Sequence, residues 1–94
     1  GAAAVAKETN KMQHFRLRME TNVFTRVPNE GNWRRERSEQ TIPAKTRIAL
    51  INSGNQTKVK VNDGKWFIGQ RRTDMWLQIG PSEYIERTML EPAT

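Results

Sequence analysis

The residue types best suited to binding a ligand cluster in one short stretch, Trp33-Arg34-Arg35-Glu36-Arg37. An indole ring can stack on a base or a sugar ring, and a guanidinium beside it can hold a phosphate through two parallel hydrogen bonds. The stretch therefore indicates recognition of a phosphate-bearing ligand. The alternative interpretation is that Trp33 folds back as a cover over a small core.

Basic side chains form a second candidate surface. Lys58 and Lys60 alternate with apolar residues and so project from the same side of a strand. Arg71 and Arg72 follow at the far end of the next predicted strand and extend this patch. The alternative is a strand face that is charged only because it is solvated.

Aromatic residues of the carboxyl-terminal half supply a third feature. In the segment 75–79 the aliphatic residues alternate with Trp76 and Gln78, which predicts an aliphatic core side and leaves Trp76 outside or in a groove. Tyr84 is a second candidate stacking surface. For Trp66 the pattern leaves both core and surface open, and it favours the core. The candidate ligand-binding residues are thus Trp33, Arg34, Arg35, Arg37, Lys58, Lys60, Arg71, Arg72, Trp76 and Tyr84.

Catalytic chemistry has little support in this sequence. There is no cysteine and only one histidine, His14, so a thiolate nucleophile and a zinc site built from histidines are excluded. The acidic residues fall in predicted turns or on a polar edge, and no glycine-rich phosphate loop is present. We therefore expect a protein that is not an enzyme and that uses no cofactor and no metal.

The charge balance favours a polyanionic partner. The chain has 94 residues and a net charge of +6, and residues 41–80 carry seven basic and two acidic side chains, net +5. Nucleic acid, an anionic cell-wall polymer and lipid headgroups all fit a basic protein, although charge of this size also serves solubility alone. No apolar run approaches the roughly 20 residues of a membrane-spanning helix.

Period-two alternation dominates the elements that must position these residues. Short strands separated by turns, and no long amphipathic helix, predict an all-β domain over residues 14–94, a small barrel of roughly five to seven antiparallel strands. Residues 1–13 are expected to be a flexible or short helical tail, or a remnant of cloning. Asp63-Gly64 predicts a tight type I′ hairpin. The predicted strands and extended segments are 14–20, 23–27 up to Pro28, 47–51, 57–61, 65–69, 75–79 and 83–90, with 28–40 as an exposed loop and 52–55 and 71–74 as turns.

Several short motifs occur in the order seen in one family. The stretches are Asn22-Val23-Phe24-Thr25, Thr41 to Leu50, Asp63-Gly64-Lys65-Trp66-Phe67, Trp76-Leu77-Gln78-Ile79-Gly80, and Tyr84-Ile85 running to Met89-Leu90. Over residues 22–90 the sequence resembles bacterial SH3-like cell-wall-binding domains, above all the SLAP-type attachment domain of S-layer proteins.

This resemblance implies an SH3-like barrel that anchors non-covalently to peptidoglycan or teichoic acid, with basic residues meeting the phosphates of the polymer. It also implies a location at the cell surface or cell wall. Two alternatives stay open from the sequence: an SH3-like module that binds nucleic acid, and a protein-interaction module, such as a phage or complex subunit, that self-associates or docks a partner. The alternatives would place the protein in the cytoplasm or a virion.

Overall fold

A computed structural model describes residues 11–70 and 75–93. Residues 1–10, Arg71, Arg72, the predicted turn 71–74 and Thr94 lie outside the described residues. Within them the chain is all-β, as predicted, with more strands than expected. The elements are β1 (Gln13–Leu17), β2 (Thr21–Asn29), β3 (Asn32–Ile42), β4 (Arg47–Ser53), β5 (Gln56–Val61), β6 (Phe67–Gln70), β7 (Trp76–Gly80), β8 (Glu83–Glu86), a 3-10 turn (Arg87–Met89) and β9 (Leu90–Pro92).

The strands form two antiparallel sheets that enclose one core. The five-stranded sheet has the order β6-β5-β4-β1-β9, and the four-stranded sheet has the order β3-β2-β8-β7. Each sheet contributes alternating apolar residues to the space between them, because the apolar face of a sheet must be buried against a second layer. The buried core consists of Leu17, Val23, Ile48, Leu50, Val59, Leu77 and Ile85.

No backbone ladder joins the two sheets within the described ranges, so they are not closed into a barrel. A side chain links the edges instead. Gln78 of β7 accepts a hydrogen bond from the backbone N–H of Gln70 in β6 at 3.0 Å, and its amide donates to the carbonyl of Gly80 at 3.1 Å. Gly69 permits this approach, because a Cβ there would lie 3.2 Å from Gln78.

The prediction of an exposed loop over residues 28–40 is wrong. β2 and β3 form a long hairpin in which Pro28 lies opposite Trp33. Pro28 does not end β2, because β8 pairs with β2 only at Phe24 and Thr25, so no neighbour requires an N–H from the proline. The hairpin turns at Glu30 and Gly31, whose φ angles of 47° and 78° suit a two-residue type I′ turn.

The other predicted connections are partly correct. Gly54-Asn55 closes the β4–β5 hairpin, and β5 pairs with β6 as expected, with Val59 opposite Phe67. The predicted tight Asp63-Gly64 turn is wrong, because residues 62–66 make a longer connection in which Asn62 takes the positive φ of 51°.

Three predicted positions of single residues or segments also differ. Met75 is 70% exposed and Trp66 is 40% exposed, so neither belongs to the core; both lie next to the ends of short strands. The predicted segment 83–90 is divided by the 3-10 turn, which carries the chain from the four-stranded to the five-stranded sheet. Among the described segments, no helix is long and apolar enough to cross a membrane.

Candidate functional site

The outer side of the four-stranded sheet carries the aromatic and arginine side chains. Strand register sets Phe24 opposite both Arg37 and Tyr84, and Tyr84 opposite Gln78. Directly opposed residues share a face of a sheet, so these side chains form one row across the sheet. The other side holds the core residues Leu77 and Ile85.

A second set of pairs completes this surface. Arg26 lies opposite Arg35, and Pro28 lies opposite Trp33. Residues from both sets, together with Trp76 and one side chain of the five-stranded sheet, line a groove of about 270 Å³. We call it the arginine groove, and its residues are Arg26, Trp33, Arg35, Gln70, Trp76, Gln78 and Tyr84.

Stacked rings form the floor of the arginine groove. Trp33 and Tyr84 stack with their ring centres 6.0 Å apart and their planes 13° from parallel. The guanidinium carbon of Arg26 lies 4.3 Å from the centre of the Trp33 ring, and its Nη2 donates a hydrogen bond to the Tyr84 hydroxyl. Tyr84 is only 4% exposed as a result. Its ring supports the groove and does not offer the open stacking face predicted from the sequence.

Arg35 lies among three rings. Its guanidinium carbon is 4.6 Å from the Tyr84 ring centre and 4.9 Å from those of both Trp33 and Trp76. Contacts of this kind contribute about 0.5–2 kcal/mol each, and they hold the planar group in place. The Nε of Arg35 is shielded from solvent and has no hydrogen-bond partner among the described residues, a situation that costs about 1–3 kcal/mol.

The surface continues past the groove along the same sheet. Phe24 packs edge-on against Trp76 with ring centres 4.8 Å apart, and the guanidinium carbon of Arg37 lies 5.9 Å from the Phe24 ring centre. Arg37 therefore adds a third guanidinium next to the groove.

In the part of the chain that the structure describes, no carboxylate neutralises the arginines of this surface. Within the described residues the ion pairs are Arg16 with Glu91 and Arg34 with Glu36, and neither involves Arg26, Arg35 or Arg37. Uncompensated guanidiniums held on aromatic faces keep their outer N–H groups available for an anion.

The structure divides the candidate residues predicted from the sequence. It brings Trp33, Arg35, Trp76 and Tyr84 together, with Arg37 adjacent. Arg34 projects from the other side of the hairpin and pairs with Glu36 at 3.2 Å. The remaining predicted residues are Lys58 and Lys60, which alternate with core residues of the five-stranded sheet and face outward on it, and Arg71 and Arg72, which lie outside the described residues.

Four residues that line or adjoin the arginine groove were not among the predicted ligand-binding residues. They are Phe24, Arg26, Gln70 and Gln78. The available signal was the spacing Phe24-x-Arg26 followed by Trp33-x-Arg35-x-Arg37 around Glu30-Gly31. Read as two strands of a hairpin, that spacing puts all five side chains on one face.

In the part of the chain that the structure describes, no group of three His, Asp or Glu residues is placed to hold a metal ion. No family model, curated protein or solved structure matches the chain. Conclusions about function therefore depend on the groove itself.

Proposed function

We propose that this protein is a non-catalytic binding module that attaches to an anionic cell-wall polymer, teichoic acid or peptidoglycan, through the arginine groove. The observation that carries the proposal is the pair Arg26 and Arg35. Both guanidiniums lie over aromatic rings, 5.8 Å and 4.6 Å from the Tyr84 ring centre, without a carboxylate partner among the described residues. Two cations this close repel each other, and a bound phosphate relieves the repulsion.

The arrangement of the rings favours a polymer of phosphates without bases over nucleic acid. Single-stranded nucleic acid is bound through open aromatic faces on which bases stack. Here Arg26 and Tyr84 lie against the Trp33 ring, and Arg35 lies over Trp76. The rings thus support guanidiniums, and the guanidiniums are what the groove offers to a ligand.

The finer fold assignment is part of the same proposal. We propose an open SH3-like arrangement, supported by two small antiparallel sheets around a single core and by the strand order of the motifs in residues 22–90. Function as a wall anchor implies a location at the cell surface.

Sedimentation with purified cell walls tests the proposal. The protein is expected to sediment with walls at low salt and to stay in solution once teichoic acid has been removed from them. Binding that persists on walls stripped of teichoic acid would restrict the ligand to peptidoglycan. Absence of wall binding at low salt contradicts the proposal, and a stable homo-oligomer by light scattering without wall binding would favour an assembly role.

Two arginine variants of one hairpin provide a matched comparison. Arg35→Gln is expected to weaken wall binding about tenfold, the loss of one charge-assisted hydrogen bond worth about 1.5 kcal/mol. Arg34→Gln removes the same charge from the opposite side of β3 and should leave binding nearly unchanged. Arg35→Lys keeps the charge and provides a second test if Arg35→Gln does not fold.

A further inference from the structure

The outer side of the five-stranded sheet carries a second, separate groove. Register sets Arg16 opposite both Arg47 and Glu91, so these three side chains form a row across β4, β1 and β9. Arg18 and Lys45 follow at the end of that row. The groove has a volume of about 420 Å³ and is lined by Arg16, Arg18, Lys45, Arg47, Glu91 and Ala93.

Four cations share one carboxylate in this groove. Arg16 pairs with Glu91 at 3.5 Å, with both side chains well exposed to solvent. Arg18 donates from Nη2 to the Thr88 carbonyl oxygen, which fixes its guanidinium without neutralising it. Within the described residues, Arg18, Lys45 and Arg47 form no ion pair, so three positive charges remain uncompensated.

The backbone around Lys45 is held in place from both sides. Its N–H donates to the Leu17 carbonyl at 2.8 Å, and the Leu17 N–H donates back to the Thr46 carbonyl at 3.0 Å. Lys45 takes a φ of 67°, a left-handed conformation that glycine adopts without strain and lysine does not. The left-handed conformation of this lysine is strained, and strained residues of this kind are often found at functional sites.

We propose that Arg18, Lys45 and Arg47 form a second phosphate-binding site, independent of the arginine groove and on the other sheet. The site suits a ligand that carries several ionised phosphate oxygens, because a guanidinium pair and an ammonium can each take a different oxygen. Since the core separates the two sheets, one molecule would bind two phosphate groups on different sides.

Amide chemical shifts measured by NMR during titration with tripolyphosphate test this proposal. We expect saturable shifts for the amides of residues 16–18 and 45–47 at an ionic strength of about 0.15 M. Shifts in this region that never saturate, or that are absent, overturn the proposal.

Lys45→Gly separates binding from folding. The variant should bind tripolyphosphate at this site about fivefold more weakly, the upper range for one exposed ion pair, while its melting temperature stays the same or rises because the strain is relieved. Lys65→Gly removes one exposed lysine elsewhere on the surface and should leave the affinity unchanged. Equal affinity of the Lys45→Gly variant and the original protein contradicts the proposal.

Arg35→Gln distinguishes the two sites. It should weaken binding at the arginine groove about tenfold and leave the affinity measured from the shifts at 16–18 and 45–47 unchanged. An equal loss of affinity at both sets of amides means that one site explains the data, which overturns the inference. If only the second set is observed in the original protein, the inference stands and the proposed function of the arginine groove fails.

Vesicles identify the source of the phosphate. Binding to tripolyphosphate but not to vesicles supports a free phosphate chain as the ligand. A lipid headgroup is supported if phosphatidylglycerol vesicles also reduce the amide signals of residues 16–18 and 45–47 and phosphatidylcholine vesicles do not. Both outcomes support the site. Absence of binding to both tripolyphosphate and phosphatidylglycerol vesicles refutes the site.

Discussion

Tyr84 shows how the residues of the arginine groove depend on one another. Its ring lies under Trp33 and Arg35, and its hydroxyl accepts the hydrogen bond from Arg26. These four side chains thus stabilise one another by stacking and hydrogen bonding on the outer side of the sheet. Such a cluster can hold cations at a surface without carboxylates, because rings replace the negative partners.

Replacing Tyr84 with phenylalanine tests the hydrogen bond without removing the ring. Tyr84→Phe is expected to lower the free energy of unfolding by about 1.5–3 kcal/mol, the range for a hydrogen bond to a charged partner. Urea unfolding measures this change. In an Arg26→Gln background the same substitution should cost much less, and an equal cost in both backgrounds would show that Arg26 does not contribute.

The β2–β3 hairpin is the element that positions the groove. It projects beyond the part of β2 that pairs with β8, and both of its sides carry arginines, Arg26 and Arg35 on one side and Arg34 on the other. Its sharp turn depends on two residues with positive φ, Glu30 and Gly31. Glutamate is a poor choice at the first of them, since Asn-Gly is the favoured pair for a type I′ turn.

Glu30→Asn should therefore stabilise the protein. We expect an increase of about 0.5–1 kcal/mol in the free energy of unfolding, the usual gain from a residue compatible with its backbone conformation. Thermal unfolding measures it, and Glu30→Gln controls for the lost charge. A gain of equal size in the glutamine variant would show that the stabilisation comes from the loss of the negative charge and not from the backbone conformation of the turn.

Prediction from the sequence succeeded where one side of a strand is apolar. Lys58 and Lys60 alternate with the buried Thr57 and Val59, and β5 follows that pattern. It failed at β3, where the alternation is between groove-facing Trp33 and Arg35 and the exposed Arg34. Burial alternates with a period of two along this part of β3, but hydrophobicity does not. The reason is that Arg35 is half-buried by stacking on the Trp33 ring.

The whole molecule depends on pairings that are distant in sequence. β1 pairs with β9, and β2 pairs with β8. The second pairing brings Tyr84 to Phe24. Single-strand patterns contain no information on such partners, so the groove could not be assembled from the sequence. The hydrogen bond through which Gln78 links the sheets could not be predicted either, because a glutamine in a strand is ordinarily expected to face solvent.

Gln78→Leu tests that link. It keeps the approximate size of the side chain but leaves the Gln70 N–H and the Gly80 carbonyl without their partner. The free energy of unfolding should fall by about 1–3 kcal/mol, and the amide of Gln70 should exchange hydrogen faster. Gln40→Leu at an exposed position is the control, with an expected change within about 0.5 kcal/mol. Unchanged exchange at Gln70 would show that the sheets associate without this link.

The most direct measurement of polymer binding observes the guanidiniums themselves. Arginine Nε–Hε correlations can be recorded by NMR while purified teichoic acid is added. Binding through the arginine groove predicts saturable shifts for Arg26 and Arg35 and none for Arg34. Equal shifts for Arg34 and Arg35, or no shift for Arg26 and Arg35 while the polymer binds, would contradict it.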